Sequence, residues 1–111
     1  MTADYNPYCT FCRIARHEEP GDFLYEDDRM VVIRNLLRWV PVMLLAIPRR
    51  HMSQEDLWHD MDHIARVAAE MGARHCPSGF RLLSNFGPDA MQSQSHGHLH
   101  IIGGTYLGPY A

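Results

Sequence analysis

Hydrophobic positions change period along this chain, from short unbroken runs to a helical stripe and back to strict alternation. Phe23–Glu26 and Met30–Arg34 (M-V-V-I-R) are short and rich in aromatic or β-branched residues, with Asp27 and Asp28 between them. They predict two strands joined by a turn. Residues 43–47 (M-L-L-A-I) form a continuous apolar run bounded by Pro41 and Pro48. That length suits a buried strand better than a helix. Leu57, Met61, Ile64, Ala68 and Met71 then recur at alternating steps of four and three, one stripe of an α-helix. Ser53 is a good N-cap, with Glu55 and Asp56 in the first turn, and Gly72 or Pro77 would end the helix. Residues 81–85 read as a strand, 86–95 as a loop rich in turn formers, and 96–102 as a last strand. Residues 9–16 could be a short helix or a turn. The last two strands are joined by a loop rather than a helix, so they should run antiparallel. The whole order predicts an α+β fold.

The stretch S-H-G-H-L-H-I-I-G-G changes the picture from fold to chemistry. It sets His96, His98 and His100 at every second position. On a strand these rings would line one face, with Gly97, Leu99 and Ile101 on the other. Three titratable rings in a row make a poor core and suit proton transfer, nucleophilic attack or metal binding. A catalytic zinc held by all three is disfavoured, because a strand separates the outer members by about 7 Å and zinc needs each ligand about 2 Å away. A nucleophile needs only one ring in attack position, with neighbours that orient it and bind anionic oxygens.

Composition narrows the setting. The 111 residues suffice for one domain, taken as 1–111, and not for two. A hydrophobic content of 46% with 21% charged residues is that of a soluble globular chain. A net charge of −3 argues against non-specific nucleic-acid binding, so an anionic ligand must be held by local donors. No apolar run approaches membrane-spanning length, and the first residues are polar, with no signal region. Three Cys, two of them in C-x-x-C, do not make a disulfide framework and favour a reducing, cytoplasmic setting. The C-x-x-C itself has two readings. A thioredoxin-like redox motif would need a strand before it, which Asn6–Pro7–Tyr8 does not offer. A zinc site would need two further ligands.

H-G-H-L-H-I-I resembles the histidine triad (HIT) signature. C-T-F-C-R-I, Y-E-D-D-R-M-V-V-I, L-L-A-I-P-R-R-H and N-F-G-P-D-A-M-Q-S each resemble the corresponding stretch of the Hint-like branch. The resemblance implies a HIT fold: an antiparallel sheet of about five strands, one long helix, a short N-terminal helix, and a symmetric homodimer. It implies a nucleotide-binding hydrolase or transferase acting on nucleoside phosphoramidates or related nucleotidyl conjugates. Carried over by position, His98 would be the nucleophile, His100 and Gln92 would contact phosphate oxygens, Asn85 would donate to the phosphate, and Ser93 would face the leaving group. Phe11, Ile33 and Leu36 match base-pocket positions, although ordinary core packing explains them equally well. Cys9, Cys12, His51 and His96 match a structural zinc site seen in bacterial relatives, which would turn His96 from catalysis to ligation.

Two departures bear on activity. Asn35 stands where the family has an acidic residue for the ribose hydroxyls, and Met43 stands where it has a His. Both favour a second possibility, a regulatory nucleotide-binding module with little turnover. Arg34, Arg38 and Trp39 sit near the expected pocket. His59 and His63 are one helical turn apart but read as an exposed polar face, and Cys76 reads as a small buried residue.

Overall fold

The computed structural model describes residues 4–109. The acidic N-terminal stretch and the tail after the triad therefore lie partly outside the described residues. Helix α1 (Thr10–Ala15) precedes strands β1 (Phe23–Glu26), β2 (Met30–Arg34) and β3 (Val42–Pro48). Helices α2 (Gln54–His59) and α3 (Asp62–His75) follow, then β4 (Phe80–Leu83), a 3-10 turn (Pro88–Ala90) and β5 (Leu99–Gly103). The strands form one antiparallel sheet in the order β1-β2-β3-β5-β4. The α+β architecture expected from the sequence is the one observed.

The unbroken apolar runs have a simple cause. β2 and β3 are covered on both faces, so every residue from Met43 to Pro48 is buried. Met30, Val32, Leu44 and Ala46 point to one side, where they pack with Leu57 of α2 and Ile64, Val67, Ala68 and Met71 of α3. Val31, Ile33, Leu45 and Ile47 point to the other side and meet Phe11, Cys12, Ile14 and Ala15 of α1. Alternation on β5 splits the same way. Leu99 and Ile101 enter the helix-side core, whereas His100, paired directly with Leu45, faces α1.

The expected long helix is divided. Asp60 leaves helical geometry at φ −136°, and α3 restarts after Met61. Trp58, His59 and Asp60 are exposed, so the interruption falls where no core contact opposes it. Asp competes with the helix through its own side chain and favours helix ends. The apolar stripe survives the interruption: Leu57, Ile64, Ala68 and Met71 are buried and Met61 packs beside them. Gly72 lies inside α3 rather than ending it, because the Phe80 ring occupies its face. A Cβ there would stand 2.4 Å from Phe80 Cδ2.

Asp27 ties the β1–β2 turn to α3. Its Oδ1 accepts from the backbone N–H of Arg29 and Met30 at 2.8 and 2.9 Å. Its Oδ2 accepts from the Tyr25 hydroxyl at 2.8 Å and lies 2.7 Å from His63 Nε2. His63 is thus held by a carboxylate of the β1–β2 turn, and not paired with His59. Burial works to raise the Asp27 pKa, but the Arg29 N–H and these other donors outweigh it and bring it to about 2. A depressed folded-state value adds stability above the ordinary carboxylate pKa, and that stability is lost as pH falls through the folded value. Asp27→Ala is therefore expected to cost about 2 kcal/mol at neutral pH. In urea titrations, the gap between variant and native protein should close between about pH 4 and pH 2.

Candidate functional site

Three histidines, two cysteines and the start of α2 converge where the chain enters β5. The sheet ladder begins only at Leu99, so His96 and His98 belong to the approach and not to the strand. All three triad rings nonetheless gather on the α1 side. The ring of Phe11 meets those of His96 and His98 edge-on, at 6.0 and 5.1 Å between centroids, and the rings of His98 and His100 lie 5.1 Å apart.

The three rings have different surroundings. His96 is fully buried, and its Nε2 lies 2.7 Å from the Pro48 carbonyl oxygen. A carbonyl only accepts, so Nε2 carries the proton and Nδ1 the lone pair. That lone pair faces two sulfurs, with Cys9 Sγ and Cys12 Sγ each 3.4 Å from Nδ1. His98 is also buried, and its Nδ1 lies 2.8 Å from the His96 carbonyl oxygen. The same reasoning puts the proton on Nδ1 and the free lone pair on Nε2. Burial lowers the pKa of His98, opposed by the bond to the His96 carbonyl, and so favours the neutral ring. For His100, burial and the neighbouring His98 lower the pKa to about 4.

Cys9, Cys12, His51 and His96 form a four-ligand cluster whose ligand atoms all lie within 4.8 Å of one another. His51 Nδ1 stands 3.4 Å from Cys12 Sγ. Around a tetrahedral zinc with Zn–S of 2.3 Å and Zn–N of about 2.0 Å, sulfur and nitrogen ligands lie about 3.5 Å apart. The observed 3.4 Å separations match that spacing. The surroundings fit too. Asn6 N–H and Cys12 N–H point at Cys12 Sγ and Cys9 Sγ, each at 3.4 Å, and the Pro48 carbonyl orients His96 as an outer-shell partner would. Burial raises the Cys12 thiol to about 11, so a thiolate in this place needs a cation beside it.

The remaining expected residues divide. Phe11 and Ile33 come together in the α1-side core, while Leu36 is 95% exposed and joins neither. Asn35 turns back on its own loop, with Oδ1 accepting from Leu37 N–H at 3.0 Å. Arg34 is paired with Asp22 at 2.9 Å, and Met43 Sδ receives the Trp39 N–H at 3.1 Å. Gln92 braces its loop, accepting from Gly87 N–H at 2.8 Å and donating to the Gln94 carbonyl at 2.9 Å. Ser93 is exposed beside it. Asn85 lies two residues beyond β4, half-buried.

Two buried features leave little mark on the sequence. Gln54 is 1% exposed at the start of α2 and reaches both His98 and Asn85. Its only signal in the sequence was a polar residue in the N-terminal turn of a helix, where exposure is the rule. Gly97 runs against that same turn, donating to the Met52 carbonyl at 2.7 Å. A Cβ on it would stand 2.8 Å from the Ser53 carbonyl oxygen and 3.1 Å from Leu57 Cβ. Gly97→Ala is expected to cost about 1–3 kcal/mol by overpacking. Chemical denaturation would read this cost, and the ring of His98 should shift with it in a structure of the variant.

A five-stranded antiparallel sheet that presents a histidine triad beside a Cys₂His₂ cluster defines a histidine-triad protein. The chain belongs to the HIT family, whose HIT domain model matches residues 16–106. It is 32% identical over 106 residues to an uncharacterized HIT-like protein of Synechococcus elongatus, covering 87% of this chain and 90% of that one. Among solved structures it is similar to a HIT family hydrolase from Clostridium thermocellum, with a TM-score of 0.85 and 30% identity over 95% of this chain and 97% of that one. It is also similar to a hypothetical histidine triad nucleotide-binding protein from Sulfolobus tokodaii, with a TM-score of 0.73 and 32% identity over 93% and 72% of the two chains. Among the described residues, no helix is long and apolar enough to cross a membrane.

Proposed function

We propose that this chain is a nucleotidyl hydrolase of the HIT type, cleaving nucleoside phosphoramidates or related nucleotidyl conjugates through a covalent intermediate on His98. The observation that carries this reading is the bond from His98 Nδ1–H to the His96 carbonyl at 2.8 Å, which leaves a neutral, buried Nε2 as the nucleophile. Family membership supports it, as do the descriptions of the Clostridium relative as a hydrolase and the Sulfolobus relative as nucleotide-binding.

In the first step, Nε2 attacks the α-phosphorus, and the bond from phosphorus to the leaving amine breaks as the amine takes up a proton from solvent. In the second, water attacks the same phosphorus and gives a proton back to solvent, the phosphorus–Nε2 bond breaks, and the nucleoside monophosphate leaves with the neutral ring restored. Asn85, His100, Ser93 and the remaining amide hydrogen of Gln92 donate to phosphate oxygens as charge develops there. Ser93 faces the leaving group. Phe11 and Ile33 line the base pocket, Asn35 reaches the sugar, and Leu36 gains cover from the bound base. Cys9, Cys12, His51 and His96 hold a structural zinc, which clamps α1 to the approach to β5. The free edge of β4 receives a second copy in a homodimer, and the buried thiols suit the reducing cytoplasm.

A second reading, a regulatory nucleotide-binding module, is favoured by Asn35 and Met43. Asn35 has its acceptor engaged by Leu37, and Met43 offers a thioether in place of an imidazole. Incubation with an adenosine phosphoramidate of a simple amine separates the two. Steady release of AMP and amine is expected. Tight binding without release would overturn the hydrolase and support the module.

A further inference from the structure

We propose that Gln54 and Ser84 are positioning residues, a two-sided clamp on the backbone of His98 that aims its ring. The inference rests on His98 being the nucleophile. His98 lies one residue before β5, where the sheet ladder supplies no partner for its peptide groups. Both groups are held by side chains instead. Gln54 Oε1 accepts the His98 N–H at 2.9 Å, and the Ser84 hydroxyl donates to the His98 carbonyl at 2.7 Å.

The clamp is anchored at each end. Gln54 stands in the first turn of α2, whose start is fixed by Ser53 Oγ accepting the Asp56 N–H at 3.0 Å. The other end of the Gln54 amide donates to the Asn85 carbonyl at 3.1 Å. Ser84 precedes Asn85, so one pair of side chains fixes the nucleophile against the segment that carries a phosphate donor. Gln54, His96 and His98 are the buried polar residues among those described. A buried amide is costly unless bonded, and simple packing here would be served as well by Met or Leu. The choice of Gln is explained by the two backbone groups it satisfies. With N–H and carbonyl both pinned, and Nδ1–H bound to the His96 carbonyl, His98 Nε2 has one direction of attack.

Gln54→Met keeps the volume and removes the acceptor, Ser84→Ala removes the hydroxyl, and Ser84→Thr retains it. Turnover of an adenosine phosphoramidate is expected to fall about 10- to 100-fold in kcat for Gln54→Met and Ser84→Ala, with KM within about twofold, because misplacement of about 1 Å costs that much. Ser84→Thr should recover most of the loss. Hydrogen exchange of the His98 amide should quicken at least about tenfold in Gln54→Met. An unchanged kcat in both variants, a Ser84→Ala loss that Ser84→Thr does not recover, or His98 exchange unaltered in Gln54→Met would overturn the clamp. If the native protein shows no turnover, the hydrolase reading fails, and exchange decides the clamp alone. A His98 amide protected in native protein and released in Gln54→Met supports it; equal exchange in the two contradicts it.

Discussion

His98→Ala is expected to lower turnover of a nucleoside phosphoramidate by about 10⁴-fold or more, because the covalent route disappears with the ring. The remaining donors can bind the phosphate and stabilise charge, but none offers a lone pair at the same point. Binding should survive, so the loss should fall on kcat and not on KM. His100→Ala should cost less, about 10²-fold, the typical effect of one oxyanion donor. The pH profile carries the same logic. Burial lowers the pKa of His98, so the acid limb of kcat/KM is expected below the ordinary imidazole value. Activity should then hold as pH falls through the range where an exposed histidine protonates.

Cys12→Ser is expected to remove zinc and much of the stability together. Purified native protein should carry about one zinc per chain, and Cys12→Ser almost none, as read by elemental analysis. Zinc bound to the folded state alone adds its binding free energy to folding. Chelation should therefore lower the thermal midpoint by at least about 10 °C. The cluster is placed to transmit that loss. Cys9 caps α1, Cys12 lies within it, His51 follows β3, and His96 precedes the nucleophile. With the sulfurs at 3.4 Å from His96 Nδ1, removing one ligand leaves a buried ring facing an uncompensated site. His98→Ala should keep its zinc, which separates the ligand His96 from the nucleophile two residues on.

The strands and the site were legible to different degrees, for physical reasons. Runs such as M-V-V-I and M-L-L-A-I declare strands because burial on both faces leaves no polar positions. The H-x-H-x-H spacing declared the gathering of rings, and the C-x-x-C supplied two members of the Cys₂His₂ cluster without fixing its use. The other two came from resemblance, because His51 and Cys12 are 39 residues apart and no local pattern links them. The break at Asp60 was hidden because the apolar stripe runs through it undisturbed. Gln54 was hidden because a glutamine in a helix's first turn is normally solvated, and only the fold brings His98 and Asn85 to its two ends. Leu36 shows the opposite limit. An apolar residue beside a predicted pocket reads as a wall, yet it stands in solvent.

His98 is expected to carry the nucleotidyl group, and quenching the first turnover with denaturant at alkaline pH is the most direct test. Native protein would be mixed with an adenosine phosphoramidate, quenched, digested under conditions that preserve phosphohistidine bonds, and read by mass spectrometry. An added nucleoside monophosphate is expected on the peptide that contains His98, formed and consumed at rates consistent with turnover, and absent from His98→Ala. Turnover without that adduct, or the same adduct in His98→Ala, would contradict it.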